Sequence, residues 1–191
     1  MVVMSRILPT NTWRSPDTVA HARSLPGKYL VRRFDDGRVE AHLITEVEAY
    51  DGAEDLACHA SKGRTPRTEI MFAPAGTWYV YLCYGIHELL NLVTGPRDYP
   101  AAVLIRGLQS VTGPGRVTRA MGITRVFNGT LAAKSSGLWI EDRGLFTPPG
   151  AITATRRIGV DSAGPVWSQK PWRFVLAEAA PVKKTTPRTF R

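Results

Sequence analysis

The stretch Trp78-Tyr-Val-Tyr-Leu-Cys-Tyr-Gly85-Ile-His-Glu-Leu-Leu-Asn91-Leu-Val-Thr94 constrains the fold more than any other part of the chain. Two runs rich in aromatic, branched and aliphatic residues flank a centre at Tyr84-Gly85. Such runs about a glycine-containing centre predict an antiparallel hairpin. Side chains alternate faces along a strand, so Tyr79 and Tyr81 share one face. Tyr84 falls near the tip, where a large ring is hard to bury. A second long run, from about Arg38 to Tyr50, carries Val39, Ala41, Leu43, Val47 and Ala49 on one parity. The other parity carries Glu40, His42, Glu46, Glu48 and Tyr50. This predicts a strand with a buried face behind a polar one, Glu48 and Tyr50 sharing the polar face unless a bulge intervenes. Ala101 to Leu108 is an apolar strand broken by one charge, Arg106. Such a charge is seldom buried without a partner.

The remaining elements are short. Ser15-Pro16-Asp17 opens a helix with a capping hydroxyl, a first-turn proline and an acid, and Pro26-Gly27 stops it. Lys28 to Phe34 reads as a strand and Asp35-Asp36-Gly37 as a tight turn. One or two helical turns are expected over 53–60, then a basic loop from Ser61 to Glu69 with Lys62, Arg64 and Arg67. Gly113-Pro114-Gly115 opens a helix that ends at Gly122, and further strands fall near 138–141, 152–160 and 172–178. No repeat or linker divides the chain. The expectation is one α+β domain over 1–191, a mainly antiparallel sheet with a protruding β-hairpin and a few short helices. Residues 1–12 and 179–191 are expected to be mobile tails.

Composition fits one globular domain: 191 residues, 43% of them hydrophobic. A chain of this length hides roughly 70% of its unfolded surface, so it folds without disulfides or metal. No run approaches the ~18 apolar residues of a membrane helix. Met1-Val-Val-Met-Ser-Arg lacks the apolar core of a secretory signal, so a cytoplasmic location is expected. The two cysteines, Cys58 and Cys83, suggest buried, inert thiols rather than a disulfide framework. Cys58, His59, Cys83 and His87 lack the regular spacing of a zinc site, and no metal or cofactor is expected. The net charge is +9, and six of the 25 basic residues are lysine, the rest arginine. Arginine binds phosphate through a planar two-pronged fork, which makes nucleic acid a candidate partner.

From the residues alone, several roles stay open. Glu48 beside Tyr50 suits activation of water next to a stacked planar substrate. A solvated strand glutamate under a tyrosine lid explains the pair more simply. Arg106 needs an acidic partner, catalytic or structural. Tyr84, exposed beside a glycine, is shaped to wedge into a base stack. His59 either packs or contacts a ligand, and Asn91 either satisfies backbone or reads a base edge.

Together these residues carry a resemblance. Glu46-Val-Glu48-Ala-Tyr50 with Asp51-Gly-Ala-Glu-Asp55, then His59, Gly63-Arg-Thr-Pro-Arg67 and Met71-Phe72, resembles the alkyladenine (3-methyladenine) DNA glycosylase family. So do Gly76-Thr-Trp-Tyr-Val-Tyr81, Tyr84-Gly85, Asn91, Leu104-Ile-Arg106, Gly113-Pro-Gly115, Arg157-Ile-Gly159 and Lys170-Pro-Trp-Arg-Phe174. The similarity runs over about 25–178. It implies that Glu48 is the general base and that Arg106 helps hold the water. It puts Tyr50 on one wall of the base pocket, His59 and Tyr81 on the other, and Asn91 on the floor. It makes Tyr84 the residue that fills the gap left by a flipped nucleotide. The net charge and the basic loop itself lead to the expectation that Lys62, Arg64 and Arg67 face DNA. Two departures stand out: Pro26 where the family usually has leucine, and His87-Glu88 at the pocket rim where it tends to carry aromatics.

The implied function is base-excision repair by a monomer acting on damaged double-stranded DNA, with water as nucleophile and no strand cleavage. The substrates implied are alkylated or deaminated purines of the 3-methyladenine, 7-methylguanine and hypoxanthine class. The alternative is a non-catalytic nucleic-acid binding module. It explains the charge, Tyr81 and Tyr84, but leaves Arg106 and the Glu48–Tyr50 pair without a purpose.

Overall fold

A computed structural model of the chain describes residues 5–177. In chain order its strands and helices are β1 (Arg6–Ile7), α1 (Thr18–Ser24), β2 (Tyr29–Arg33), β3 (Val39–Asp51), β4 (Trp78–Cys83), β5 (His87–Val93), β6 (Ala101–Leu108), β7 (Val111–Thr112), α2 (Pro114–Ala120), β8 (Leu138–Asp142), β9 (Ile152–Thr155), α3 (Gly164–Trp167) and β10 (Arg173–Leu176). The strands run β1-β8-β2-β3-β6-β5-β4, with β7 on β6, β10 on β3 and β9 on β10. All these pairings are antiparallel. This is the expected α+β domain, a mainly antiparallel sheet with a few short helices.

β3 is the hinge of the architecture. Its first half pairs with β2, and its second half lies between β6 and β10. The changeover is a bulge. Ile44 faces Leu108 and Val47 faces Ile105, but between them Glu46 faces Gly107, so Thr45 and Arg106 are each left out of register. A bulge bends a strand and re-aims its side chains. Here it moves the core-facing parity from Ile44 to Val47 and Ala49. Val39, expected on the buried face, is therefore exposed. Gly107 permits the close approach: a Cβ there would lie 2.9 Å from Glu46 Cβ.

The two faces of β4-β5-β6 alternate cleanly beyond the bulge. Trp78, Val80, Leu90, Leu92, Val103 and Ile105 enter the main core. Tyr79, Val93 and Ala102 turn to the opposite face and a smaller cluster with Cys58 and Met71. The hairpin forms as expected, Trp78 opposite Leu92 through Cys83 opposite His87. Its turn holds Tyr84 at φ 50° and Gly85 at φ 70°. Positive φ at both central residues suits the twist of paired strands.

Four local expectations are corrected. The α1 cap is Asp17, whose carboxylate accepts from Ala20 N at 2.9 Å, rather than Ser15. The part of 1–12 within the described residues is not loose: Arg6 and Ile7 pair with β8, and Leu8 and the following Trp13 are buried. Residues 53–58 form no α-helical turn, because the Asp55 side chain accepts from Asp51 N and Ala57 N; a short 3-10 turn follows at His59–Lys62. The strand expected over 152–160 stops at Thr155, because Arg157 turns inward to Asp55 and Ile158 N–H turns to Glu48. The tail expected over 179–191 lies outside the described residues.

The N-terminal segment is clamped to the start of the hairpin. At Gly76, φ is 81° and a Cβ would sit 2.6 Å from Thr10 Cβ. Gly76→Ala is expected to cost about 1–3 kcal/mol or more, from backbone strain plus the clash. Gly85→Ala, at φ 70° with nothing within 4 Å, should cost less. Urea denaturation of both variants checks the order.

Candidate active site

Strand register builds the floor. Tyr79 lies opposite Asn91, Asn91 opposite Leu104, Leu104 opposite Glu48, and Glu48 opposite Arg173. One cross-sheet row therefore carries an aromatic, an amide, an apolar side chain, a carboxylate and a guanidinium. Above it opens a cavity of about 620 Å³, whose lining includes Tyr50, His59, Tyr81, Asn91, Leu104 and Arg106. Tyr84 and Arg67 stand at the same cavity. His87 and Glu88 do not line it. His87 packs on Gly115, and Glu88 accepts from Arg125 N, so neither forms the rim that the sequence suggested.

Beneath the row runs a chain of charges. Arg173 Nε donates to Glu46 Oε1 at 2.6 Å, and Arg106 Nε donates to the same oxygen at 3.0 Å. Arg106 Nε also lies 3.4 Å from Glu48 Oε1, and its Nη1 3.5 Å from Oε2. The Tyr50 hydroxyl donates to Glu48 Oε2 at 2.8 Å, and Ile158 N–H donates to Oε1 at 2.8 Å. Glu48 has no solvent exposure and is not itself part of the cavity lining. The face expected to be solvated is thus sealed: Tyr50, Arg106 and Ile158 are the lining residues that touch the carboxylate. Burial raises the Glu48 pKa above the usual carboxylate value, against the lowering effects of Arg106 and the Ile158 and Tyr50 hydrogen bonds. A carboxylate held this way is a stronger proton acceptor than one in water.

The walls are held from behind. Arg157 lies 4.9 Å from the centre of the Tyr50 ring and 5.1 Å from that of Trp172. Its guanidinium pairs with Asp55, Nη2 to Oδ1 at 2.9 Å, and donates to the Ala49 carbonyl at 2.8 Å. Both side chains are wholly buried. On the opposite wall the His59 and Tyr81 rings meet edge to face at 4.6 Å, and Tyr79 and Tyr81 lie 5.3 Å apart. Burial, with Arg67 and Lys62 adding to it, pushes His59 down to about 4. Its ring is therefore neutral at physiological pH. Asn91 donates its amide to the Tyr79 carbonyl at 3.2 Å. Burial pushes the Cys58 thiol up to about 12, in keeping with an inert side chain.

At the tip, Tyr84 is 93% exposed and Ile86 73%. Lys62, Arg64 and Arg67 are all at the surface but differ in their partners. Arg64 is engaged by Glu69 and Asp98 and lies over the Phe72 ring. Arg67 lies 5.3 Å from the Tyr81 ring centre.

Comparison with known proteins identifies the family. Residues 12–180 match the family model of methylpurine-DNA glycosylase (MPG). The chain is 46% identical over 167 residues to a protein of Anaeromyxobacter sp. (strain Fw109-5) named "Putative 3-methyladenine DNA glycosylase", covering 84% of each. A protein of the same name from Methanocella arvoryzae is 41% identical over 201 residues, covering 95% of this chain and 98% of its own. The chain belongs to the methylpurine-DNA glycosylase family. Membership makes this protein a DNA glycosylase, a hydrolase of N-glycosyl bonds, and excludes the reading as a non-catalytic binding module.

The structure brings Glu48, Tyr50, His59, Tyr81, Asn91 and Arg106 of this glycosylase together, with Tyr84 at the edge of the same cavity. Sequence reasoning passed over Glu46, Arg173, Asp55, Arg157, Tyr79 and the Ile158 N–H. Glu46 shared the parity of Glu48, and Asp55, Tyr79, Arg157 and Arg173 stood inside the motifs that carry the resemblance, so a signal was present for those five. Nothing in a sequence marks one backbone N–H as a carboxylate ligand.

Removing one half of a fully buried ion pair leaves the other as an uncompensated charge. Arg157→Met is expected to destabilise the fold by about 3–5 kcal/mol, measured by chemical denaturation. A loss below about 1 kcal/mol would show that Asp55 finds another counter-charge.

Proposed function

We propose that this glycosylase hydrolyses the N-glycosidic bond of alkylated or deaminated purines flipped out of duplex DNA. The observation that carries the proposal is the contact of Glu48 with both Tyr50 and Arg106 at the back of an aromatic-walled cavity. A base inside a duplex is out of reach, and extruding it costs a few kcal/mol. Tyr84 offsets part of that cost by filling the vacated stack, and Tyr50, Tyr81 and His59 hold the purine; stacking is worth ~1–3 kcal/mol per base. Lys62 and Arg67 are the exposed cations beside the cavity suited to DNA phosphate. Arg64 already has two carboxylate partners.

Water admitted between the Tyr50 hydroxyl and Arg106 gives its proton to Glu48 and attacks the sugar carbon as the base leaves. The carboxylate also stabilises the positive sugar of the transition state. Among the described residues the cavity lining holds arginine but no lysine, which supports water over an amine nucleophile. Charge is a weak handle for the lesion here. Arg157 and Arg67 already sit against the two tyrosine walls, reducing the attraction those rings offer to a cationic purine.

Glu48→Gln is expected to lower base release 10²–10⁴-fold, the usual worth of a general base. Duplex binding should survive. Because the folded pKa of Glu48 is raised, its contribution to stability is present at low pH and lost as pH rises through that pKa. The variant should therefore melt close to wild type at pH 7. Base-release activity within about tenfold of wild type, on duplexes with one hypoxanthine or alkylated purine, would remove Glu48 from the reaction.

Tyr84→Ser should leave the fold intact, since the ring contributes little to packing. Single-turnover base release should fall on paired hypoxanthine, by up to the ~1–3 kcal/mol of stacking. The defect should shrink when the lesion is mispaired and extrusion is easier. An equal defect on both substrates would take Tyr84 out of the extrusion step.

A further inference from the structure

His59 Nδ1 lies 3.2 Å from the Tyr79 hydroxyl, and the two rings meet edge to face at 87°. Tyr79 is 2% exposed, and burial alone would assign it to packing. Its hydroxyl has a more specific task. The geometry points to Tyr79 as a positioning residue that holds His59 in one neutral tautomer, protonated on Nε2, so that the cavity presents a fixed N–H donor to a hydrogen-bond acceptor on the bound purine. The role at the purine rests on the reading of the cavity given above; the tautomer does not.

The direction of the bond follows from the two partners. A phenol is a far stronger acid than a neutral imidazole N–H, so the phenol donates and the ring nitrogen accepts. Burial pushes the Tyr79 hydroxyl up to about 12, so it carries its proton at neutral pH. Burial with Arg67 and Lys62 keeps His59 from taking a second proton. With Nδ1 occupied as acceptor, the imidazole proton sits on Nε2. A hydrogen bond at one ring nitrogen sets the state of the other. Since Nδ1 is taken up against Tyr79, the Nε2 edge is the one left to the cavity that His59 lines. Nε2 makes no hydrogen bond among the described residues. The ring plane is set as well, by Tyr81 at 4.6 Å and 76°. The charged and titratable groups around the imidazole are Arg67, Lys62, Tyr79 and Tyr81.

The test uses the full chain labelled with ¹⁵N-histidine. Long-range ¹H–¹⁵N correlation reports which ring nitrogen carries the proton, and loss of the signals in His59→Gln assigns them. In wild type the expected pattern is a bare Nδ1 and a protonated Nε2, unchanged between pH 8 and 5. Tyr79→Phe keeps the ring and removes the hydroxyl. It should give mixed tautomers, with single-turnover release of hypoxanthine reduced about 3–10-fold, the worth of one ordinary hydrogen bond. Duplex affinity should be unchanged.

A proton on Nδ1 in wild type, or an unchanged pattern in Tyr79→Phe, overturns the proposal, and the wild-type spectrum needs no variant to fold. Mixed tautomers with undiminished base release overturn the role at the purine. If wild type shows the Nε2–H form but releases no base from any purine lesion, the tautomer set by Tyr79 stands and the reading of the cavity falls.

Discussion

The offset between β3 and β6 at Glu46, Gly107 and Arg106 is the constraint on which the rest depends. Without it, β3 would keep one parity throughout and could not serve two parts of the sheet with its core-facing residues. With it, Arg106 is freed from register and reaches both Glu46 and Glu48. The same bend puts Glu48 into the cross-sheet row that continues through Leu104 and Asn91 to Tyr79. Architecture and chemistry share one irregularity, and a glycine makes room for it.

Electrostatics then does two separate jobs. Buried charges are paired: Arg157 with Asp55, and Arg106 and Arg173 with Glu46 and Glu48. Pairing is what lets an apolar sheet carry them at all. The cation standing outside these pairs at the cavity is Arg67, at the surface beside Tyr81. Burial keeps the His59 ring neutral, and the field of Arg67 adds to that effect. The aromatic walls of the cavity are thus uncharged, and the Arg67 cation stands at the surface beside them.

The hairpin combines a fixed base with a free tip. Thr118 of α2 donates to the Glu88 carbonyl at 2.6 Å, and Arg125 N donates to the Glu88 side chain at 3.0 Å. The outer edge of β4 is covered too, by Asn128 Oδ1 on Val80 N and by backbone bonds between Trp78 and residues 129–130. Only past Cys83 does the chain lose such support, and there Tyr84 and Ile86 stand in solvent. For the extrusion step proposed for Tyr84, a ring is best carried on a short, firmly rooted turn. A longer loop would have to be ordered at each encounter.

Local patterning settled the elements and much of the cavity. Alternation put Tyr79 and Tyr81 on one face, an isolated charge marked Arg106, and glycine and proline bounded the helices, because these depend on a few neighbouring residues. The bulge, the sealing of Glu48 and the buried Asp55–Arg157 pair depended on chain segments far apart in sequence. Asp55 and Arg157 are 102 residues apart, and Ile158 is 110 from the carboxylate it binds. Alternation could say that Glu48 and Tyr50 share a face. It could not say whether that face meets water or another layer of protein, and the acidity of a carboxylate turns on that difference. Residue types and local periodicity were set by the sequence itself. Burial, and with it proton affinity, was decided by what the tertiary fold laid on top.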